Sequence, residues 1–224
     1  MIPLRDEGRI RGVPIVVLLL IAANVAAFLF VLTLDVEGAA SLFDRWALVP
    51  REFLRGAAQP AATRQVTWIA PVSSMFLHGS LLHLAGNMLT LWILGSAVED
   101  LLGRTRFIVF YLACGLAAAA IQIASNPDAY VATVGASGAI SGLLGAYAVC
   151  HSSARLRLAV PPLRLPALLL LTLWIAIQVV SGLQAWDDDG VGIAWWAHVG
   201  GFVAGASLAR SMWVRKPTGS RLRI

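Results

Sequence analysis

A chain of 224 residues with 58% hydrophobic and 13% charged side chains and a mean hydropathy of +0.77 has too much apolar surface to hide as one soluble domain. Lipid is therefore its expected solvent. The net charge of +5 comes without a basic face interleaved with aromatics, which excludes a nucleic-acid partner.

Six apolar runs follow one another at about 13–34, 81–98, 107–125, 137–152, 165–184 and 191–209. Each is long enough to span, or nearly span, a bilayer core of about 30 Å. The expected fold class is an all-α polytopic membrane protein, a bundle of six transmembrane helices. Three stretches organise it: an N-terminal segment 1–12, a membrane domain 13–209 with a long outer loop 35–80, and a basic tail 210–224.

The first run follows Arg5, Arg9 and Arg11. Its apolar stretch, about 20 residues, exceeds the 7–15 of a secretory signal core, so it reads as a retained span. With an inside N-terminus, Arg5, Arg9, Arg11, Arg104, Arg106, Arg155, Arg157, Arg164, Arg210, Arg215, Lys216, Arg221 and Arg223 collect on one side. Only Arg45, Arg51, Arg55 and Arg64 lie on the other. That asymmetry places both termini in the cytoplasm, in an inner-membrane setting of prokaryotic type. Within the outer loop, "SLFDRWALVPREFL" alternates Leu42, Phe43, Trp46, Val49, Phe53 and Leu54 with charges. It reads either as an amphipathic piece at the membrane interface or as an ordinary capping loop.

The second run opens with "HGSLLHLAGNM". His83 and Asn87, four residues apart, project from one helix face, and His78 sits just before the run. The third run holds Cys114 and the fourth Cys150, where thiols behave as small hydrophobes and imply no disulfide framework. The fourth opens with "GASGAISG", placing Ser137 and Ser141 one turn apart. His151 follows at its inner edge. The fifth, "LPALLLLTLWIAIQVV", is the most uniformly apolar, and the sixth carries His198 in "WWAHVGGFVAG".

At the helical rise, His83 and Ser137 lie about 24–26 Å above the inner ends of their spans, and Asn87 and His198 about 18 Å. All four share the outer half of the membrane. From Ser137 to Arg155 the fourth span is only about 27 Å long. The preceding "ASNPDAYVATVGA" must then dip into the protein, which is tolerable where backbone is buried or lines a wet cavity. Ser137, with His198 as base, fits nucleophilic catalysis. Every carboxylate lies in a loop or at a span end, which favours a dyad over a triad. The Ser137 backbone N–H, His83 and Asn87 could receive an oxyanion. Histidine and asparagine also serve as interhelical glue. Gly138, Gly142, Gly145, Gly201 and Gly205 read as close-packing positions between helices. No metal or other cofactor is expected, since no "HExxH" occurs and no carboxylate sits near the histidines.

In order and on successive spans, "HGSLLHLAGNM", "GASG" and "AHVGGFVAG" resemble the rhomboid intramembrane serine proteases. "GSAVEDLLG" at 95–103 is similar to the family's glycine and glutamate pattern. The resemblance spans about residues 65–207. It implies Ser137 as nucleophile, His198 as general base, and an oxyanion hole of His83 and Asn87 with Gly135 nearby. It also implies transmembrane protein substrates, cut near the outer end of their spans and admitted sideways between helices 2 and 5, with no cofactor. Two positions depart from the pattern. Trp68 is followed by Ile69, not arginine, and Ser141 stands where many members carry an aromatic ring packed on the base. Two other classes remain: a rhomboid-like binder that does not cut, and a small transporter with a buried histidine relay, for which paired inverted repeats are missing.

Overall fold

The computed structural model describes residues 3–6, 12–58, 68–150, 155–158, 164–184 and 193–212. His151 and the tail beyond Met212 lie outside the described residues. Ten α-helices are described: α1 (Ile15–Leu32), α2 (Val36–Trp46), α3 (Pro50–Ala58), α4 (Ala70–Ser73), α5 (Leu81–Thr90), α6 (Ser96–Leu102), α7 (Arg104–Ser125), α8 (Ser137–Cys150), α9 (Ala167–Gln184) and α10 (Trp195–Met212). Helices α5 and α6 are one continuous helix, Leu81–Leu102, interrupted by a π-turn at Leu91–Gly95. Six long helices thus stand where the six apolar runs were read. By length and composition α1, Leu81–Leu102 and α7 are long and apolar enough to cross a membrane. Membrane-integral helices of this kind make the rhomboid-like polytopic bundle that the sequence leads one to expect.

Helix α8 is the axis. Its residues Ala139 to Tyr147 are all buried, so its small side chains meet protein on every side. Its 14 described residues, Ser137–Cys150, are about 21 Å long. Helix α1, in contrast, leaves Leu18, Leu19, Leu29, Phe30 and Leu32 exposed, as a lipid-facing helix does. Its N-terminus is held from across the bundle. The carboxylate of Glu99 on α6, 4% exposed, accepts from the backbone N–H of Val16 at 3.1 Å and of Val17 at 2.9 Å. An anion there satisfies two donors that have no partner within the helix and opposes the positive end of its dipole.

Two features go beyond the sequence reading. The outer stretch read as an amphipathic piece or a capping loop is helical, as α2 and α3, with Asp35 accepting from Gly38 N–H at 2.8 Å to cap α2. A small antiparallel sheet also joins β1 (Pro3–Asp6), β2 (Arg155–Leu158) and β3 (Arg164–Pro166) in that order. It adds to the helical bundle by pairing part of the N-terminal segment with the connection between α8 and α9. Arg155–Leu158 alternates arginine with leucine, but over only four residues, and the β1 and β3 stretches carry no such pattern.

The loop before α8 is stitched to the first loop. Thr133 N–H donates to Leu48 O at 2.7 Å, Arg51 N–H to Ala129 O at 3.2 Å, and Gly135 N–H to Ser74 O at 2.9 Å. The Arg51 guanidinium lies 4.1 Å from the centroid of the Tyr130 ring. Trp68, the residue before the departing Ile69, packs edge-on against Phe53 of α3 with ring centroids 5.9 Å apart. These bonds let non-helical backbone descend to a fully buried Ala136, where every peptide group must find an internal partner.

Candidate active site

Helices α8 and α10 touch through glycine. A Cβ on Gly205 would sit 2.5 Å from Gly142 Cα, and one on Gly145 2.8 Å from Ala206 N. A Cβ on Gly201 would run into the Gly138 carbonyl group. Gly138 itself faces α7, with Ala118 Cβ 2.7 Å from where its own Cβ would be. This is backbone-on-backbone packing, which only glycine permits. At its upper end the seam brings Ser137, the first residue of α8, against α10. The His198 Nε2 and Ser137 Oγ are 2.9 Å apart.

The other ring nitrogen is also engaged. His198 Nδ1 lies 2.7 Å from Oε1 of Gln178 on α9. An amide oxygen can only accept, so this contact suits the tautomer that carries its proton on Nδ1 and turns a bare Nε2 toward the serine hydroxyl. One turn earlier on α9, the Trp174 ring lies against His198 with centroids 5.8 Å apart and planes tilted by 40°. The ring that Ser141 does not supply thus comes from a different helix. Gln122 on α7 fixes the start of α10, its Oε1 accepting from Ala197 N–H at 3.1 Å.

Ser141 is 1% exposed, and its hydroxyl donates back to the Ser137 carbonyl at 2.6 Å. A serine inside an apolar helix satisfies itself in this way. The side chain faces the α10 seam, its Cβ 3.3 Å from where a Cβ on Gly201 would be.

On the other side of Ser137 lies Gly135, with φ +111°, a conformation that side chains with a Cβ rarely adopt. Space demands glycine as well, since a Cβ would fall 2.7 Å from His83 Cε1 and 3.3 Å from Asn87 Nδ2. His83 and Asn87 are therefore gathered against the backbone two residues before Ser137. Ser80 caps α5 by accepting from His83 N–H at 3.1 Å. The Asn87 amide is held by His78, Nδ2 to Nε2 at 2.9 Å, and the rings of His78 and His83 meet edge-on with centroids 5.0 Å apart. Burial, with the nearby His83 adding to it, lowers His78 from its ordinary 6.5 to about 4. His78 is therefore a neutral ring with a nitrogen free to accept.

Sequence reasoning missed Gln178, Trp174 and Gln122 as participants. A signal existed for Gln178: an amide in the middle of the most apolar run is expensive in lipid and calls for a partner. What the run could not say was which helix it faced.

Comparison with known proteins places these residues in context. A family model described as the Rhomboid domain matches residues 65–215. Rhomboid protease GluP of Bacillus subtilis (strain 168) is 30% identical over 162 residues, 72% of this chain and 29% of that protein. RHOMBOID-like protein 5 of Arabidopsis thaliana is 31% identical over 148 residues, 66% of this chain and 45% of that protein. The mitochondrial presenilin-associated rhomboid-like protein of Homo sapiens is 32% identical over 139 residues, 59% of this chain and 35% of that protein. The chain spans less than half the length of these curated relatives.

Proposed function

The chain belongs to the rhomboid family, a family of intramembrane-protease type, and from that premise we propose that it is a serine endopeptidase working through a Ser137–His198 dyad. Its substrates in this reading are transmembrane segments of other proteins, cut at or near the outer end. The observation that carries it is the 2.9 Å Ser137–His198 contact at the N-terminus of a short, buried helix.

The steps follow from the groups present. Ser137 Oγ attacks the scissile carbonyl carbon while His198 Nε2 takes the hydroxyl proton. The carbonyl oxygen gains charge and is received by the Ser137 backbone N–H with the side chains of His83 and Asn87. Collapse breaks the C–N bond, and His198 gives its proton to the departing amine. Water, deprotonated by the same nitrogen, then hydrolyses the acyl-serine and restores the hydroxyl. The chain's own residues make every proton transfer. Both termini on the cytoplasmic side of a prokaryotic inner membrane, as the basic residues are distributed, would open the site outward.

A fluorophosphonate tests the reading. It should form an adduct located to Ser137 by mass spectrometry, and Ser137→Ala should lose both adduct and cleavage of a transmembrane substrate, with chelator harmless to the wild type. An adduct on Ser141, or cleavage surviving in Ser137→Ala, overturns the assignment. A chain that binds transmembrane peptides without labelling would be a non-catalytic binder instead.

A further inference from the structure

Helix α9 contributes nothing to the bond-making steps above, yet two of its side chains touch His198. Gln178 accepts at Nδ1 at 2.7 Å, and Trp174, four residues earlier and so on the same face, lies against the ring. We propose that Gln178 is the positioning residue of the base, an uncharged third member that selects the tautomer of His198, with Trp174 holding the plane of the ring. The proposal rests on the dyad reading and deepens it.

A neutral imidazole has one N–H. If it sits on Nε2, the ring can only donate to Ser137 Oγ and cannot take its proton. If it sits on Nδ1, Nε2 is a base. A group that accepts at Nδ1 therefore decides whether the 2.9 Å contact is productive. Aspartate does this in soluble triads, holding the tautomer and ring orientation. In a dry, lipid-flanked bundle a carboxylate would be costly to ionise, and an amide oxygen offers an acceptor without charge. Gln178 is 6% exposed, and a buried amide left without a partner is penalised, so the contact is held from both sides.

Trp174 answers a second need. Ring orientation about the Cβ–Cγ bond is broad, and at Ser141 there is no aromatic neighbour to narrow it. Trp174 lies between His198 and Phe202, one turn further along α10, with its centroid 6.3 Å from that of Phe202. Tautomer and ring plane are thus both set by α9, so the base is competent only while α9 is docked on α10.

The test compares Gln178→Met, which keeps shape and removes the acceptor, with Gln178→Glu, which keeps an acceptor oxygen in either protonation state. Fluorophosphonate labelling of Ser137 and turnover of a transmembrane peptide are followed together with apparent Tm. Gln178→Met should slow labelling and kcat about tenfold, the worth of one buried hydrogen bond, with KM and the melting profile near wild type. Gln178→Glu should restore the rate to within about threefold. A wild-type rate in Gln178→Met overturns the proposal. So does a loss in Gln178→Met that Gln178→Glu fails to restore. A measurement on the intact protein stands beside these in case a variant does not fold. In 15N-histidine spectra, with the His198 signal assigned by its loss in His198→Gln, Nδ1 should be protonated and Nε2 not, and the reverse pattern overturns the proposal. Labelling of wild-type Ser137 keeps the two questions apart. If the wild type itself is not labelled, the dyad reading fails, whatever Gln178 does.

Discussion

Gly201→Ala is the sharpest perturbation of the seam that sets the Ser137–His198 distance. The added methyl would lie 3.0 Å from the Gly138 carbonyl carbon and 3.3 Å from Ser141 Cβ, with the Gly138 oxygen nearer still. Two of those atoms are backbone and cannot rotate away. Restoring ordinary contact requires α10 to retreat from α8 by about 1 Å at this point. Gly138 follows Ser137 directly, and Gly201 is one turn from His198, so the displacement reaches the dyad almost undiminished. A 2.9 Å contact would lengthen to about 3.5–4 Å, beyond useful hydrogen bonding. Overpacking of this kind costs about 1–3 kcal/mol, or roughly 3–10 °C in apparent Tm for a chain of this size. Misplacement of reacting groups by about 1 Å costs on the order of 10²-fold in rate. The expected result in detergent is a modestly lower melting point with a much slower fluorophosphonate reaction at Ser137. Gly86→Ala is the stability control. Gly86 lies within α5 and a Cβ there meets nothing within 4 Å, so the helix should be unchanged or firmer by about 0.5–1 kcal/mol. Wild-type labelling and melting in Gly201→Ala would refute the claim that glycine contact at this seam holds the dyad together.

Three further outcomes follow from the same geometry. Glu99→Ala strands the Val16 and Val17 N–H groups and should cost about 3–5 kcal/mol, read as a large drop in apparent Tm; a shift under about 2 °C would mean another group caps α1. Asn87→Ala should lower turnover about 10²–10³-fold and also loosen His78, whose Nε2 it holds, so a fully active variant would return Asn87 to packing alone. His78, held near 4 when folded and near 6.5 when unfolded, stabilises the fold fully above pH 6.5; that share is lost as pH falls toward 4, because the unfolded chain takes up the proton first. The melting points of wild type and His78→Gln should therefore converge across that window, and parallel curves would sink the account.

The sequence by itself determined the solvent, the number of long helices and the family. Apolar run length and local motifs are properties of consecutive residues, and lipid enforces helix wherever backbone must cross it. The sequence also singled out Ser137, His198, His83 and Asn87, because polar groups in hydrocarbon are conspicuous, and Gly135 through the resemblance to the family. Tertiary structure decided who faces whom. An apolar lipid-facing helix carries little periodicity; the amide in "LTLWIAIQVV" marks a side of α9 that needs a partner, but nothing in the run assigns Gln178 and Trp174 to His198. Glu99 was read as part of a local pattern, yet it acts on α1, 82 and 83 residues away in sequence. The missing ring at Ser141 shows the same limit. Position along one helix predicts a neighbour only when that helix supplies it, and here packing brought the ring from α9, a contact fixed by helix crossing and invisible in the order of residues.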